Sequence, residues 1–273
     1  MHVVMTTRVN AGHRRMLNKV PEVTVFFWII KILCTTVGES LADYINETLG
    51  FGLTNTTILF SVALVVALVV QFRLDRYVPG PYWLAVVLIS VVGTLLTDNL
   101  TDARGVPLWA SSTVFAVLLA AVFTAWYARE GTLSIHSINT TARESWYWLV
   151  VLVTFAFGTA IGDWTLELTG WSPGASILIP ASLITVVLIA WKLGLNPVLS
   201  FWLAYILTRP LGANIGDFLS APRSEGGLGL GTLVTSVLFL GAIVTTVIYL
   251  TVSRVDRTEV RQHQDEPAPD TRR

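Results

Sequence analysis

Residues 148–163 read WLVVLVTFAFGTAIGD: an apolar run that opens on Trp148, turns small at Gly158 and ends on a charge at Asp163. The same frame recurs along the chain. Trp28 and Gly38, Trp83 and Gly93, and Trp202 and Gly212 are likewise ten apart, and five residues beyond those glycines stand Asp43, Asp98 and Asp217. The motif W-x9-G-x4-D thus occurs four times, with Asp-to-Asp spacings of 55, 65 and 54 residues. A period of this size marks a chain assembled from copies of one supersecondary unit. In three copies a second carboxylate follows four residues later, Glu47, Asp102 and Glu167; the fourth has Ala221.

The setting of these words is a membrane. Of 273 residues 53% are hydrophobic and 13% charged, ten are Trp, and the formal net charge is +0. Soluble domains do not have this composition, and neutrality gives no reason to expect nucleic acid as a partner. A spanning helix needs roughly 20 mostly apolar residues. Eight stretches qualify: Val23 to Ile45, Thr56 to Phe72, Tyr82 to Leu100, Ser111 to Tyr127, Trp146 to Leu166, Ala175 to Trp191, Pro197 to Leu219 and Leu230 to Val252. The expected fold class is all-α integral membrane, eight transmembrane helices built from four parallel two-helix repeats.

Charge placement orients it. Arg8, Arg14, Arg15, Lys19, Arg73, Arg76, Arg129, Arg143, Lys192, Arg254, Arg257, Arg261, Arg272 and Arg273 fall on one side, and only Arg104 and Arg223 on the other. The positive-inside rule then predicts N-in and C-in. The expected division is a cytoplasmic tail at 1–20, a first membrane half at 21–128 with repeats 1 and 2, and a cytoplasmic connector at 129–144. A second half at 145–253 holds repeats 3 and 4, and 254–273 is a disordered tail containing QHQDEPAPDTRR. The first apolar stretch has spanning length and no small-x-small site at its end, so no cleaved signal is expected. Cys34 is the single cysteine, which excludes an intramolecular disulfide.

Because every copy starts from the same side, the four motif helices can gather about an axis along the membrane normal, with their aspartates at one depth. Asp and Glu four apart share a helix face. Asp43, Asp98, Asp163 and Asp217 are therefore the expected central ligand or proton site, with Glu39, Glu47, Asp102 and Glu167 as an outer ring. Helix C-termini carry partial negative charge of their own, so these acids need compensation by protons, by basic partners or by bound cations. Lys31 and Arg209, the two bases inside spans, lie roughly 18 and 12 Å below the aspartates of their own helices at ~1.5 Å per residue. Neither is expected to neutralise the whole cluster directly.

Carboxylates, the amides of Asn46, Asn99 and Asn214 and the hydroxyls of Thr97 and Thr101 form an oxygen-only donor set suited to hard cations such as Mn²⁺, Mg²⁺ or Ca²⁺. His2, His13, His136 and His263 all lie outside the spans, which disfavours Zn²⁺ and copper. Pro210 after Arg209 predicts a kink, and the four motif Trp residues suggest an interfacial belt. No metalloprotease, Walker or nucleophile-elbow motif is present, so no enzyme activity is expected, and GGLGLG at 226–231 is expected to form an outer loop.

The words VPEVTVFFWIIKILCTTVGESLADYINETLGFGLT (20–54), YVPGPYWLAVVLISVVGTLLTDNLTD (77–102) and YILTRPLGANIGDFLSAPRSEGGLGLGT (205–232) resemble a bacterial family of uncharacterised membrane-anchored proteins, over Lys19 to Val252. The resemblance implies a bacterial cytoplasmic (inner) membrane protein. From the residues themselves, the expected function is secondary transport of a hard divalent cation, Mn²⁺ export first, with the cation as substrate, no tightly bound cofactor, and a monomer or homodimer in the bilayer. The alternatives are a docking or scaffold protein with an acidic outer face and, more remotely, an intramembrane enzyme acting on lipid, which would need carboxylates of separated pKa.

Overall fold

In the computed structural model, residues 18–256 are described. The tail expectations, with Arg8, Arg14, Arg15, Arg257, Arg261, Arg272, Arg273, His2, His13 and His263, lie outside the described residues, and the structure bears on none of them.

Apolar runs bounded by caps and prolines give nine α-helices and no strand among the described residues. They are α1 (Val25–Asp43), α2 (Leu53–Arg73), α3 (Pro79–Thr101), α4 (Leu108–Glu130), α5 (Thr141–Thr169), α6 (Pro173–Ser176), α7 (Leu178–Lys192), α8 (Pro197–Ser220) and α9 (Thr232–Ser253). Local chemistry sets the ends. Thr24, Thr140 and Asn196 accept backbone N–H bonds at the starts of α1, α5 and α8, and Gly170 closes α5 in the left-handed conformation that glycine adopts without strain. Counting α6 and α7 as one broken helix, and α1 with the π-helical turn that extends it to Thr48, seven helices are long and apolar enough to cross a membrane. α8 is not among them, for it carries Arg209, Asn214 and Asp217. The described residues are thus all-helical, their apolar helices are those of a protein suited to a lipid bilayer, and the sequence carries internal repeats.

The four motif helices close a ring: α1 packs on α3, α3 on α5, α5 on α8, and α8 back on α1. They run parallel, with aromatic side chains of their N-terminal halves meeting at one end and their aspartates at the other. The reason they approach so closely is the repeated glycine. A Cβ built on Gly38 would lie 2.6 Å from Cβ of Ser90, on Gly93 2.7 Å from Phe155, on Gly158 2.6 Å from Arg209 and on Gly212 2.6 Å from Thr35. Each glycine meets the residue three positions before the glycine of the next copy, so one contact is repeated around the ring. With no hydrophobic drive between helices in lipid, small residues that admit a neighbouring backbone hold such bundles together. Threonine hydroxyls add to it: Thr36 donates to the Gly212 carbonyl at 2.9 Å and Thr97 to the Ala156 carbonyl at 3.1 Å.

The remaining helices form an outer layer that interlocks the copies. α2 lies mainly against α3, α4 against α5, α7 against α8 and α9 against α1. Each outer helix covers the inner helix of the following copy rather than its own partner. The connector at 129–144 carries a short 3₁₀ turn, Ile135–Ser137, with Ile135 and Ile138 buried in the common core.

Three of the four motif tryptophans lie in the core rather than in an interfacial belt, and Trp28 is partly exposed. Trp83, Trp148 and Trp202 are buried, packed with Phe27, Tyr82, Tyr147, Phe201 and Tyr205 into an aromatic plug across the N-terminal end of the ring. The apolar bodies of these rings find more contact between four helices than at a lipid surface. Below them Lys19, expected as a solvated cytoplasmic charge, is buried in an ion pair with Glu144 at 2.5 Å.

If the glycine contacts hold the ring, Gly93→Ala should destabilise the protein by about 1–3 kcal/mol through overpacking, read as a lowered thermal unfolding midpoint in detergent. Gly241→Ala, with open space around its Cβ position, should stay within about 0.5 kcal/mol of wild type.

Candidate cation site

Each inner helix rises from the aromatic plug, passes its glycine contact and delivers an aspartate just over one turn later. Asp43, Asp98 and Asp163 line one cavity of about 440 Å³, together with Glu39, Asn46, Glu47, Thr101, Asp102 and Glu167. That volume is large against the ~30 Å³ share of a liquid water, so hydrated ions can reach the aspartates. Directly after Asp43 the helix widens into a π-helical turn, Tyr44–Thr48, which brings Asn46 and Glu47 into the wall. Such insertions recur at functional sites.

Asp217, from α8, completes the inner level. Single carboxylate oxygens of Glu39, Asp43 and Asp217 lie within 4.8 Å of one another. The four repeated aspartates are half-buried, whereas Glu47, Asp102 and Glu167 are exposed and form the rim. Crowded carboxylates at the C-terminal ends of four parallel helices, half-buried among them, repel one another. The same repulsion makes the cavity attractive to a cation.

Glu39 does not belong to the outer ring. It sits one turn deeper than Asp43, at the floor, where its Oε2 accepts from Arg209 Nη2 at 2.6 Å and from Thr94 Oγ1 at 3.3 Å. Arg209 therefore compensates one acid of the cluster, Glu39, closer than helix rise suggests, and leaves the others without a basic partner in direct contact among the described residues. That expectation measured depth along one helix from Asp217, whereas the acid that meets Arg209 comes from the neighbouring helix and stands ~6 Å below Asp43. The guanidinium is fully buried, its Nη2 also donates to Thr94 Oγ1, and its Nε and Nη1 have no hydrogen-bond partner.

Lys31 lies deeper still and touches none of the acids. It is 1% exposed, its Nζ has no hydrogen-bond partner, and it rests 3.9 Å from the Phe155 ring centre and 4.2 Å from that of Tyr205. The two asparagines turn elsewhere. Asn99 donates to Thr57 Oγ1 on α2 at 2.8 Å, and Asn214 donates to the Ser176 carbonyl where α6 breaks from α7, at 3.0 Å. Thr97 is spent on the Ala156 carbonyl. Of the oxygen donors expected beside the carboxylates, Asn46 and Thr101 line the cavity.

Thr94 escaped sequence reasoning, although a signal existed. It occupies in the second copy the place that Glu39 holds in the first, one after the glycine, so the ring symmetry sets it beside Glu39.

The family model described as Repeat of Unknown Function (DUF347) matches the chain three times, at residues 26–77, 81–132 and 200–256, more than half of its length. Each match begins at the start of an inner helix and runs through the outer helix that follows, from α1, α3 and α8. The copy that opens on α5 lies outside the matched segments. No curated protein and no solved structure matches the chain.

The depth ordering has a direct test in single-cysteine labelling, because the native Cys34 is buried. A small water-soluble thiol reagent should modify Glu47→Cys, Asp102→Cys and Glu167→Cys fast, Asp163→Cys slowly and wild type not at all; equal rates at 163 and 167 would contradict the layered vestibule.

Proposed function

Since the chain belongs to the DUF347 repeat family, we propose that four parallel two-helix repeats make an eight-span bundle in the bacterial inner membrane, N-in and C-in. We further propose that the bundle is a secondary transporter of a hard divalent cation, with Mn²⁺ export first and Mg²⁺ or Ca²⁺ next. The supporting observation is the convergence of Glu39, Asp43 and Asp217, from two different helices, to within 4.8 Å, beside a vestibule that Glu39, Asp43, Asp98 and Asp163 line. Three carboxylate oxygens at that spacing need only a small closure to reach the 2.0–2.6 Å ligand distances of such ions. Thiol and imidazole are absent from the group, consistent with Mn²⁺ or Mg²⁺ rather than Zn²⁺.

Transport requires an ion to leave on the other side, and the plug and the Lys19–Glu144 pair stand across that route. Opening them while the acidic end narrows is the alternating-access step this reading demands. The exposed rim of Glu47, Asp102 and Glu167 is what a docking surface for a polycationic partner would also offer, and it keeps that alternative in play.

The discriminating experiment measures cellular metal content and metal sensitivity across Mn²⁺, Mg²⁺, Ca²⁺, Co²⁺ and Zn²⁺, with the protein absent, overproduced or substituted. Overproduction should change one ion selectively. Asp43→Asn, Asp163→Asn or Asp217→Asn should each abolish the effect, because a coordinating set fails when one ligand is lost, while Glu47→Gln at the rim should change it less than about fivefold. A graded loss across all four substitutions, with no ion selected, would favour docking.

A further inference from the structure

Within a fourfold ring, the residues that break the symmetry are the informative ones. At the position three before the motif glycine the copies carry Thr35, Ser90, Phe155 and Arg209; at the position one after it they carry Glu39, Thr94, Thr159 and Ala213. Three of four residues at each position are uncharged. The fourth copy's arginine and the first copy's glutamate are the exceptions, and ring closure between α8 and α1 brings them together at 2.6 Å.

Resting on the cation-site reading, we propose that the Arg209 guanidinium is a tethered competitor for the transported ion: it holds Glu39 when no ion is bound and must yield that carboxylate when one enters. Glu39 stands in both groups at once. It is one of three carboxylates clustered within 4.8 Å and also the partner of Arg209. An ion seated among Glu39, Asp43 and Asp217 would share the Glu39 carboxylate with a positive charge, and like charges so close in a buried setting repel unless one withdraws.

Arg209 is built to withdraw only partway. Its stem packs on Gly158 and the following Pro210 on Gly162, two positions of α5 without side chains. Pro210 also removes one backbone bond from α8. The unpartnered Nε and Nη1 leave the guanidinium less than fully satisfied where it sits. Below it lies another buried base, Lys31, which discourages both the arginine and a descending cation from going further. Return of the guanidinium to Glu39 would then expel the ion, giving a release step without a second substrate.

The test uses the purified full-length protein in detergent and Mn²⁺ itself, bound ion being followed by its electron paramagnetic resonance signal. Arg209→Gln removes the competing charge and should tighten Mn²⁺ binding on the order of tenfold, even though it removes a cation-facing partner of the acids. Added methylguanidinium should weaken binding to Arg209→Gln towards the wild-type value and leave wild type nearly unchanged. Thr94→Val removes one hydrogen-bond partner of the guanidinium without altering any charge, and should tighten binding by a smaller factor; it decides the matter if Arg209→Gln does not fold. Wild-type binding that these variants leave equal or weaker, with unfolding midpoints intact, overturns the competitor role and leaves the cation site standing. Absence of Mn²⁺, Mg²⁺ and Ca²⁺ binding to wild type and variants alike overturns the cation site and this role with it.

Discussion

The structure hangs on one contact made four times: a glycine of one inner helix against the side-chain stem three residues before the glycine of the next. In water such an approach would be one packing detail among many, because burial of apolar surface supplies most of the drive. In lipid that drive is absent between helices, and close packing, hydroxyl-to-carbonyl bonds and connectivity must do the work. The glycine therefore sets the interhelical distance, and the distance sets everything above it. Since each aspartate follows its glycine by five residues, a symmetric contact brings four carboxylates to one level without any further instruction.

This arrangement also explains the layering of the outer helices. An inner helix is flanked on both sides by ring neighbours, so the groove it offers outward lies between copies. The outer helix of one copy fits the inner helix of the next, and α9 closing on α1 makes the first and last copies interdependent. Residues from both sides of the connector share the main hydrophobic cluster.

Much of this was legible because repetition turns spacing into geometry. The shared frame of Trp, Gly and Asp announced parallel helices and a common depth for the acids. What it hid were facts of rotation and of reach. Asn99 and Asn214 are one after Asp98 and two after Gly212, on faces turned towards α2 and α6, and hydropathy says nothing about such angles. Glu39 precedes Asp43 by one turn, and a pattern-based reading grouped it with the rim although the helix runs from plug to mouth and puts it deeper. Arg209 was judged against its own helix, when the partner that mattered belonged to the neighbour three copies earlier in sequence and adjacent in space. The tryptophans misled for a different reason: position near a helix start fits both a lipid interface and a core between four helices, and only the ring decides between them.

Fourfold symmetry by itself would yield a poor site for a single ion. Four identical acids around an axis offer equivalent half-occupied positions and no preferred direction of travel. The charges that depart from the repeat remove this degeneracy: Glu39 and Arg209 pair across the seam between α1 and α8, and Lys31 lies deeper, against the rings of Phe155 and Tyr205. The missing second carboxylate of the fourth copy, Ala221, leaves the rim open next to the same seam. The departures fall at the junction between the first copy and the last, the one contact in the ring that joins sequence-distant rather than successive copies. There a substitution alters a single interface and leaves the frame of the other three intact.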